Sequence, residues 1–445
     1  MASPLSQPGA HTLPPETVAH IFMVGTYTNR RRDTVSFPLL VSHVSSYWRR
    51  LALSTPALWT TVFMTDASIS LISRTLTWLS RSRPYPLQIY LDFRDTNWNW
   101  DEGNHQFRWN HMEQVLRILM PHMSRWQIFE LLSDTWEPIY ALLWHSKNQS
   151  APILRTISLN RCNAYFVLPG EHFRPPALIQ HIPLFSGNAP SLRNVILAGT
   201  HVNWTRSPLR NLAELDLRYH AQEVTPTIYE FIDILRSSPF LQKLTILGWV
   251  VRSIDAAVVA QFSGSIALQT LRELTFGCMD ASYGSHVLSL LSVRTLSKLS
   301  LEDMASSLGP MLPHDSTPIL SFFVQRSQSF RSVESLNVKG IKCGVRSFTP
   351  FIRVFTHLRY LSIDGVELSL VSDLVASHGR NDTPCPRLSH VMLRGISLHT
   401  ARSFVRGRAQ SHYPFTSVIL ELHNSTVAHI RVEQIGRTTF RIVPV

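Results

Sequence analysis

Histidine and cysteine are the residues of this chain with the most recognisable chemistry, because they ligate metals and serve as bases or nucleophiles. The chain has 20 histidines and four cysteines in 445 residues, and the cysteines stand far apart with no Cys-x-x-Cys pair. His-Glu-x-x-His, a glycine-rich phosphate loop and Gly-x-Ser-x-Gly do not occur in the sequence. His105 and His111 flank a Trp-rich loop, where a surface pair explains them better than a site. We therefore expect no catalytic residue, no metal and no cofactor, and a protein that is not an enzyme.

Arginine supplies most of the positive charge. There are 42 Lys+Arg against 30 Asp+Glu, a formal net charge of +12, and only five of the basic residues are lysines. The excess is scattered, and its one run, Arg30 to Arg32, is followed at once by Asp33. Proteins that bind nucleic acid concentrate such charge on one face, so the pattern favours a solvated surface instead. No apolar run reaches the ~18 residues of a membrane span, and no signal peptide is visible. We expect no membrane partner and an intracellular protein, cytoplasmic or nuclear.

Short helices are expected in the first sixty residues. Pro15 suits a first helical turn because it has no N–H to leave unpaired, and the helix should run to about Val24. A polar loop is expected next, with Pro38 opening a second helical segment. Ser54 or Thr55 can cap a last short helix. The apolar residues of these helices exceed what three helices can hide from one another, which usually marks a protein interface.

Four motifs occur in order within this segment: Leu13-Pro14-Pro15-Glu16, Ile21-Phe22, Leu39-Leu40 with Val44 and Trp48-Arg49, and Pro56-Ala57-Leu58-Trp59. The set resembles the F-box, and its form is especially similar to the F-box-like proteins abundant in mushroom-forming fungi. The alternative is a local helical cap that Trp48 and Trp59 pack onto the next part of the chain.

The resemblance implies that the apolar side of these helices docks on the Skp-type adaptor of a cullin ubiquitin ligase. The implied docking residues are Leu13, Pro14, Pro15, Glu16, Ile21, Phe22, Leu39, Leu40, Val44, Trp48, Leu51 and Trp59.

An apolar-x-x-apolar-x-apolar template recurs from residue 154 onward. Its first positions are Leu154, Leu192, Leu212, Leu241, Leu271, Leu296, Val333, Leu358, Leu388 and Phe415. The nine steps from Leu154 to Phe415 average 29 residues, and Met123/Trp126/Ile128 is an early outlier. Each x-L-x-L segment predicts a short strand. The residues between strands predict helices or loops that cover the core, as Ile228/Phe231/Ile232/Leu235 does at helical spacing.

The repeats look like the degenerate leucine-rich repeats that commonly follow an F-box. The expected fold is therefore α/β: a three-helix F-box, then an irregular leucine-rich-repeat solenoid with parallel strands on the concave side and helices and loops on the convex side. The alternative is a multi-strand α/β domain with chance leucine spacing. The expected division is a disordered tail (1–12), an F-box-like domain (13–62), a linker and capping region (63–150) and the repeats (151–445).

The x positions of successive strands would form a binding face. Arginine and tyrosine there suggest recognition of an acidic or phosphorylated segment of an unknown client protein; the alternative is that they only keep the surface soluble. The residues concerned are Arg155, Arg193, Arg272, Arg359 and Tyr360. Acidic residues on the strands, such as Asp216 and Asp364, are expected to be solvated.

These expectations combine into a function. The chain would be the substrate-recognition adaptor of an SCF-type cullin ubiquitin ligase, with the F-box bound to the Skp-type adaptor and the repeats holding the client. The alternative is a repeat scaffold for protein interactions whose F-box is vestigial. Nucleic-acid binding is a third interpretation, and it predicts strongly salt-dependent retention on a polyanion.

Overall fold

The structure of the chain is a computed structural model. It describes residues 13–27, 31–162, 173, 176–254, 256–304, 315–367, 370, 374, 384–410, 413–422 and 430–444. The expected disordered tail, residues 1–12, lies outside the described residues. Two compact units are present: the described residues up to Pro208 form unit 1, and those from Leu209 form unit 2.

Unit 1 begins with helices and continues as alternating strands and helices. Its helices are α1 Pro15–Tyr27, α2 Arg31–Val44, α3 Ser46–Ser54, α4 Ile69–Arg81, α5 Trp109–Leu119 and α6 Glu137–Ser146. Its strands are β1 Thr61–Met64, β2 Leu87–Asp92, β3 Trp126–Ser133, β4 Thr156–Arg161 and β5 Asn194–Ala198. The strands lie in chain order and each neighbouring pair is parallel.

Unit 2 repeats the strand-to-helix pattern. Its strands are β6 Glu214–Arg218, β7 Lys243–Leu247, β8 Ile266–Leu268, β9 Glu273–Cys278, β10 Leu291–Val293, β11 Lys298–Asp303, β12 Ser335–Lys339, β13 Tyr360–Asp364, β14 His390–Arg394, β15 Ser417–Leu422, β16 Arg431–Ile435 and β17 Thr438–Pro444. Its helices are α7 Ile228–Arg236, α8 Ala256–Phe262, α9 Ala281–Leu290, α10 Thr317–Gln325, α11 Ser327–Phe330, α12 Val345–Arg353 and α13 Leu398–Ala409.

The main sheet of unit 2 runs β6-β7-β9-β11-β12-β13-β14-β15-β17-β16. Only the last pair, β16 with β17, is antiparallel, and β8 pairs with β10 in a separate two-stranded parallel sheet. The expected α/β class with parallel strands is therefore confirmed. None of the described helices is long and apolar enough to cross a membrane.

The ten repeat segments all form strands, β4 and β5 in unit 1 and eight of the strands from β6 to β15 in unit 2, and within each unit the pairing of neighbouring strands aligns their template positions. Leu336 lies opposite Leu361, and Val338 opposite Ile363. These side chains are buried, and burying an aliphatic side chain of this size contributes about 1.5–3 kcal/mol. The early outlier was assigned three residues too early, because Phe129 and not Trp126 lies opposite Ile157.

Glycines end three consecutive strands of unit 2. Gly340, Gly365 and Gly395 follow β12, β13 and β14 with φ of 65°, 61° and 68°. This left-handed conformation is easy only for glycine. A Cβ on Gly395 would lie 3.5 Å from the backbone N of Gly365, which is an ordinary contact distance, so the positive φ and not a lack of space favours glycine at these turns.

Candidate docking surface and strand face

Helix α1 begins at Pro15, since proline is well tolerated in the first turn of a helix. The N–H groups of Thr17 and Val18 both donate to the carbonyl of Pro14, at 3.0 and 3.2 Å. The helix then buries Val18, Phe22 and Thr26, one residue per turn. It continues to Tyr27, three residues beyond the expected end at Val24.

The second helical segment differs from the prediction. Helix α2 begins at Arg31, so Pro38 lies inside it and does not open it. The segment then breaks at Ser45, whose Oγ accepts a hydrogen bond from the N–H of Trp48 at 3.1 Å and caps α3. The expected last helix is a 3₁₀ turn, Pro56–Trp59, and Thr55 makes no side-chain cap bond to it.

Trp59 anchors the core beneath these helices. Its side chain is fully buried, and its Nε1–H donates to the carbonyl of Ala52 at 2.8 Å. The ring of Trp78 on α4 packs edge-on against the Trp59 ring, with their centroids 4.8 Å apart. The guanidinium of Arg81 lies 4.4 Å from the centroid of the Trp59 ring. Helix α4, which lies outside residues 13–62, therefore helps to close the core of that helical segment.

The outer surface of the same helices carries a high proportion of the exposed apolar side chains. Among the described residues, 21 large apolar side chains are exposed, and seven of these fall between Leu13 and Leu53. They are Leu13, Ile21, Val24, Tyr27, Leu40, Val44 and Leu53. We call these seven side chains the apolar patch. Apolar exposure concentrated in this way usually marks an interaction surface.

The twelve predicted docking residues divide into three groups. Exposed are Leu13, Pro14, Pro15, Glu16, Ile21, Leu40 and Val44. Half-buried against the core are Leu39, Trp48 and Leu51. Phe22 and Trp59 are 1% and 0% exposed, so their contacts are with the core, where Phe22 lies 4.9 Å from the ring of Trp48. Any contact with a partner would be made by the first group.

Three exposed residues of the apolar patch were not among the predicted docking residues: Val24, Tyr27 and Leu53. Val24 follows Ile21 by three positions and so shares its helix face, a signal that was present in the sequence. The side chain of Tyr27 is partly engaged, since its hydroxyl donates to the carbonyl of Ala57 at 2.7 Å.

The predicted client-binding arginines lie at the strand entrances and not along the strands. All four are exposed and precede β4, β5, β9 and β13 by one residue: Arg155, Arg193, Arg272 and Arg359. In unit 1 the first two are neighbours, because the N–H of Arg193 donates to the carbonyl of Arg155 at 2.9 Å. In unit 2 the other two are three strand spacings apart, roughly 14 Å.

Tyr360 is the predicted residue that does lie on the strand face. It is the first residue of β13, is half exposed, and stacks on His390 of β14 with ring centroids 4.9 Å apart. Arg359 and Tyr360 thus form one small group, which Arg272 does not join.

Opposite charges in register cross the strand face of unit 2. Lys243 bonds Glu214 and Lys298 bonds Glu273, each at 2.5 Å. Nearer the strand ends, Lys339 bonds Glu302 at 2.7 Å and Arg394 bonds Glu421. Sequence reasoning missed these pairs, each of which contributes about 0.2–1 kcal/mol. They neutralise much of the face, so the net positive charge lies elsewhere.

Asp216 corrects another expectation. Its carboxylate was expected to be solvated, but it is 1% exposed and accepts two hydrogen bonds from the guanidinium of Arg218. Asp216 and Arg218 are two positions apart on β6 and so lie on the same face of that strand. Their pairing therefore needs no residue from another strand. Asp364 is half-buried and fits the expectation better.

His105 is not on the surface, contrary to the surface-pair interpretation. Its ring is buried, and Nε2 lies 3.1 Å from the carboxylate of Asp134, while Nδ1 lies 3.1 Å from the carbonyl of Phe107. Burial lowers the pKa of His105, but the two hydrogen bonds and the negative charges of Asp134 and Asp95 together raise it above its ordinary value. His105 and His111 line one cavity of about 560 Å³ with Arg94.

Within the described ranges, no group of three or more His, Cys, Asp or Glu side chains could hold a metal ion. A comparison with the models of known protein families finds no match, and a comparison with curated proteins finds none either.

Proposed function

We propose that this protein is the substrate-recognition adaptor of an SCF-type cullin ubiquitin ligase. The observation that carries the proposal is the apolar patch on α1 to α3. The core of these helices is already closed by Phe22, Trp59 and Trp78, so the exposed side chains are not needed to fold them. Leaving seven large apolar side chains in water is unfavourable, and a partner that covers them recovers that free energy.

The ordered F-box motifs support the choice of partner. Leu13 and Ile21 on α1, and Leu40 and Val44 on α2, belong to those motifs and are also 41–64% exposed. The Skp-type adaptor is the partner that the resemblance implies. The adaptor would then contact these four motif side chains, which are exposed and do not contribute to the core.

The strands after the helices support the second half of the proposal. Their template positions pair in register, as a leucine-rich-repeat array requires, and helices lie between most of them. Such an array offers a long surface to a client. Arg155 with Arg193, and Arg359 with Tyr360, are the exposed groups that we assign to client contact. Catalysis would come from proximity, because the receptor holds a client lysine near a ubiquitin-charged enzyme of the complex.

The test is binding of the purified full chain to the Skp-type adaptor subunit. Leu40→Asp with Val44→Asp places two charges on the apolar patch without touching buried positions. Burial of the two side chains is worth about 3–6 kcal/mol, so affinity should fall at least about 100-fold. Ile69→Asp, an exposed apolar residue at the start of α4, is the matched control and should bind normally.

Two outcomes would overturn the proposal. One is the absence of binding by the unmodified chain, which would favour a repeat scaffold with a vestigial F-box. The other is unchanged affinity of the double variant, which would show that the apolar patch is not the docking surface.

A further inference from the structure

Strand β16 ends the main sheet of unit 2 with one free edge. It pairs with β17 on one side, and no described residue pairs with its other side. An edge strand presents a row of unpaired N–H and C=O groups, which can bind another extended chain. Proteins often block such an edge with proline or lysine. Residues 430–435 contain neither, and their charged side chains are Arg431 and Glu433, the second already paired with Arg402.

Aliphatic side chains are exposed along this edge. Ile430 and Val432 are 63% and 61% exposed, whereas apolar residues of the inner strands, such as Val418, are fully buried. Val432 lies opposite Arg441 of β17, so an aliphatic and a cationic side chain share one face of the hairpin. An incoming strand would cover Val432 and bring its own side chains towards Arg441.

Positive charge surrounds the edge. The described residues from 398 to 444 include two glutamates and six arginines, of which Arg408 is buried away from the edge. The glutamates are already paired, Glu421 with Arg394 and Glu433 with Arg402. Arg431, Arg437 and Arg441 are exposed, and no described carboxylate bonds to them. The open backbone edge therefore lies in a cationic environment.

We propose that the β16 edge binds an extended acidic segment of a partner protein, which adds to the sheet as a further strand. Main-chain hydrogen bonds would supply the binding common to added strands, and acidic side chains would pair with the exposed arginines. Residues alternate between the two faces of a strand, with Arg431 on one face of β16 and Ile430 and Val432 on the other. The preferred segment therefore alternates acidic residues, which face Arg431, with aliphatic residues, which cover Ile430 and Val432.

A second copy of this chain fits the edge poorly. Antiparallel pairing of two β16 strands would bring Arg406 and Arg431 of both copies together, because each Glu433 carboxylate is already paired with Arg402. Like charges in such proximity destabilise an interface. An acidic segment would instead place carboxylates next to the arginines and so reduce the repulsion between them.

The experiment uses the full chain and a fluorescent peptide of alternating Glu and Val residues, measured by fluorescence anisotropy. We expect saturable binding that weakens as salt rises, and amide exchange in residues 431–435 slowed at least tenfold. Arg431→Glu with Arg441→Glu should weaken binding at least tenfold. Arg331→Glu with Arg346→Glu makes the same change in charge elsewhere in unit 2 and should leave affinity within about twofold.

Backbone methylation separates strand addition from simple charge attraction. Two peptides of the same charge carry N-methyl groups, one on every Glu and the other on every Val, and at least one should lose binding. Undiminished binding by both methylated peptides, or unchanged affinity of the edge variant, would overturn the proposal. So would a dimer of the chain alone whose interface protects residues 431–435. None of these readouts involves the Skp-type adaptor, so the result is independent of the ligase proposal.

Discussion

Gly25→Ala tests the close approach of α1 to α2, which holds the two halves of the apolar patch together. A Cβ at position 25 would lie 2.2 Å from the Cζ of Phe37, and carbon atoms in good contact are about 3.5–4.0 Å apart. The half-buried Phe37 ring would have to retreat by roughly 1.3–1.8 Å. Overpacking of this kind costs about 1–3 kcal/mol, and alanine returns about 0.5–1 kcal/mol of helix propensity. The two ranges leave a net loss between about 0 and 2.5 kcal/mol, and about 1 kcal/mol at their midpoints.

Hydrogen exchange of the amides in α1 and α2 measures this loss as a lower free energy of local opening. Adding Phe37→Leu removes the ring that the new methyl group meets, so the double variant should lose less than the two single changes together. Gly344→Ala is the matched control, because nothing lies within 4 Å of a Cβ there. Exchange in α1 and α2 that is unchanged or slowed by Gly25→Ala would refute the reasoning.

Three further predictions concern buried and paired charges. Because the pKa of His105 is raised in the folded chain, its pairing with Asp134 stabilises unit 1 fully below the ordinary pKa of about 6.5 and is lost as pH rises through the folded pKa. Thermal unfolding should therefore show less stability at about pH 8 than at pH 6, and His105→Gln should flatten that slope. Arg408 is buried and donates to four backbone carbonyls, so Arg408→Met should speed exchange in α13, with a loss of about 1–3 kcal/mol for each carbonyl left without a donor. Lys339→Glu should lower stability in urea by up to about 1 kcal/mol, and adding Glu302→Lys should restore it.

The strands were predictable because their signal is local. The six-residue apolar-x-x-apolar-x-apolar template specifies a strand such as β13. Every repeat has the three-residue spacing seen between Leu358 and Leu361, and this constant spacing also predicts the register. Strands β16 and β17 were missed because neither carries the template. Their antiparallel pairing depends on the turn at Gly436 and on burial of Phe440, which no repeat spacing indicates.

The docking surface was only partly predictable. Ile21 and Phe22 are adjacent and equally apolar, yet one is half exposed and the other is buried. Successive helical residues point about 100° apart, and only the packing of α1 on α3 decides which of the two faces the core. Likewise, Glu302 and Lys339 pair across 37 positions, and that contact exists only once β11 and β12 are in register.

Hydrogen exchange of the full chain with saturating Skp-type adaptor would show which surface the adaptor covers. The proposed docking predicts slower exchange in α1, α2 and α3, greatest around the exposed Ile21, Leu40 and Val44, with unit 2 unchanged. Exchange that is identical with and without the adaptor, or protection found only in unit 2, would contradict an F-box role for these helices.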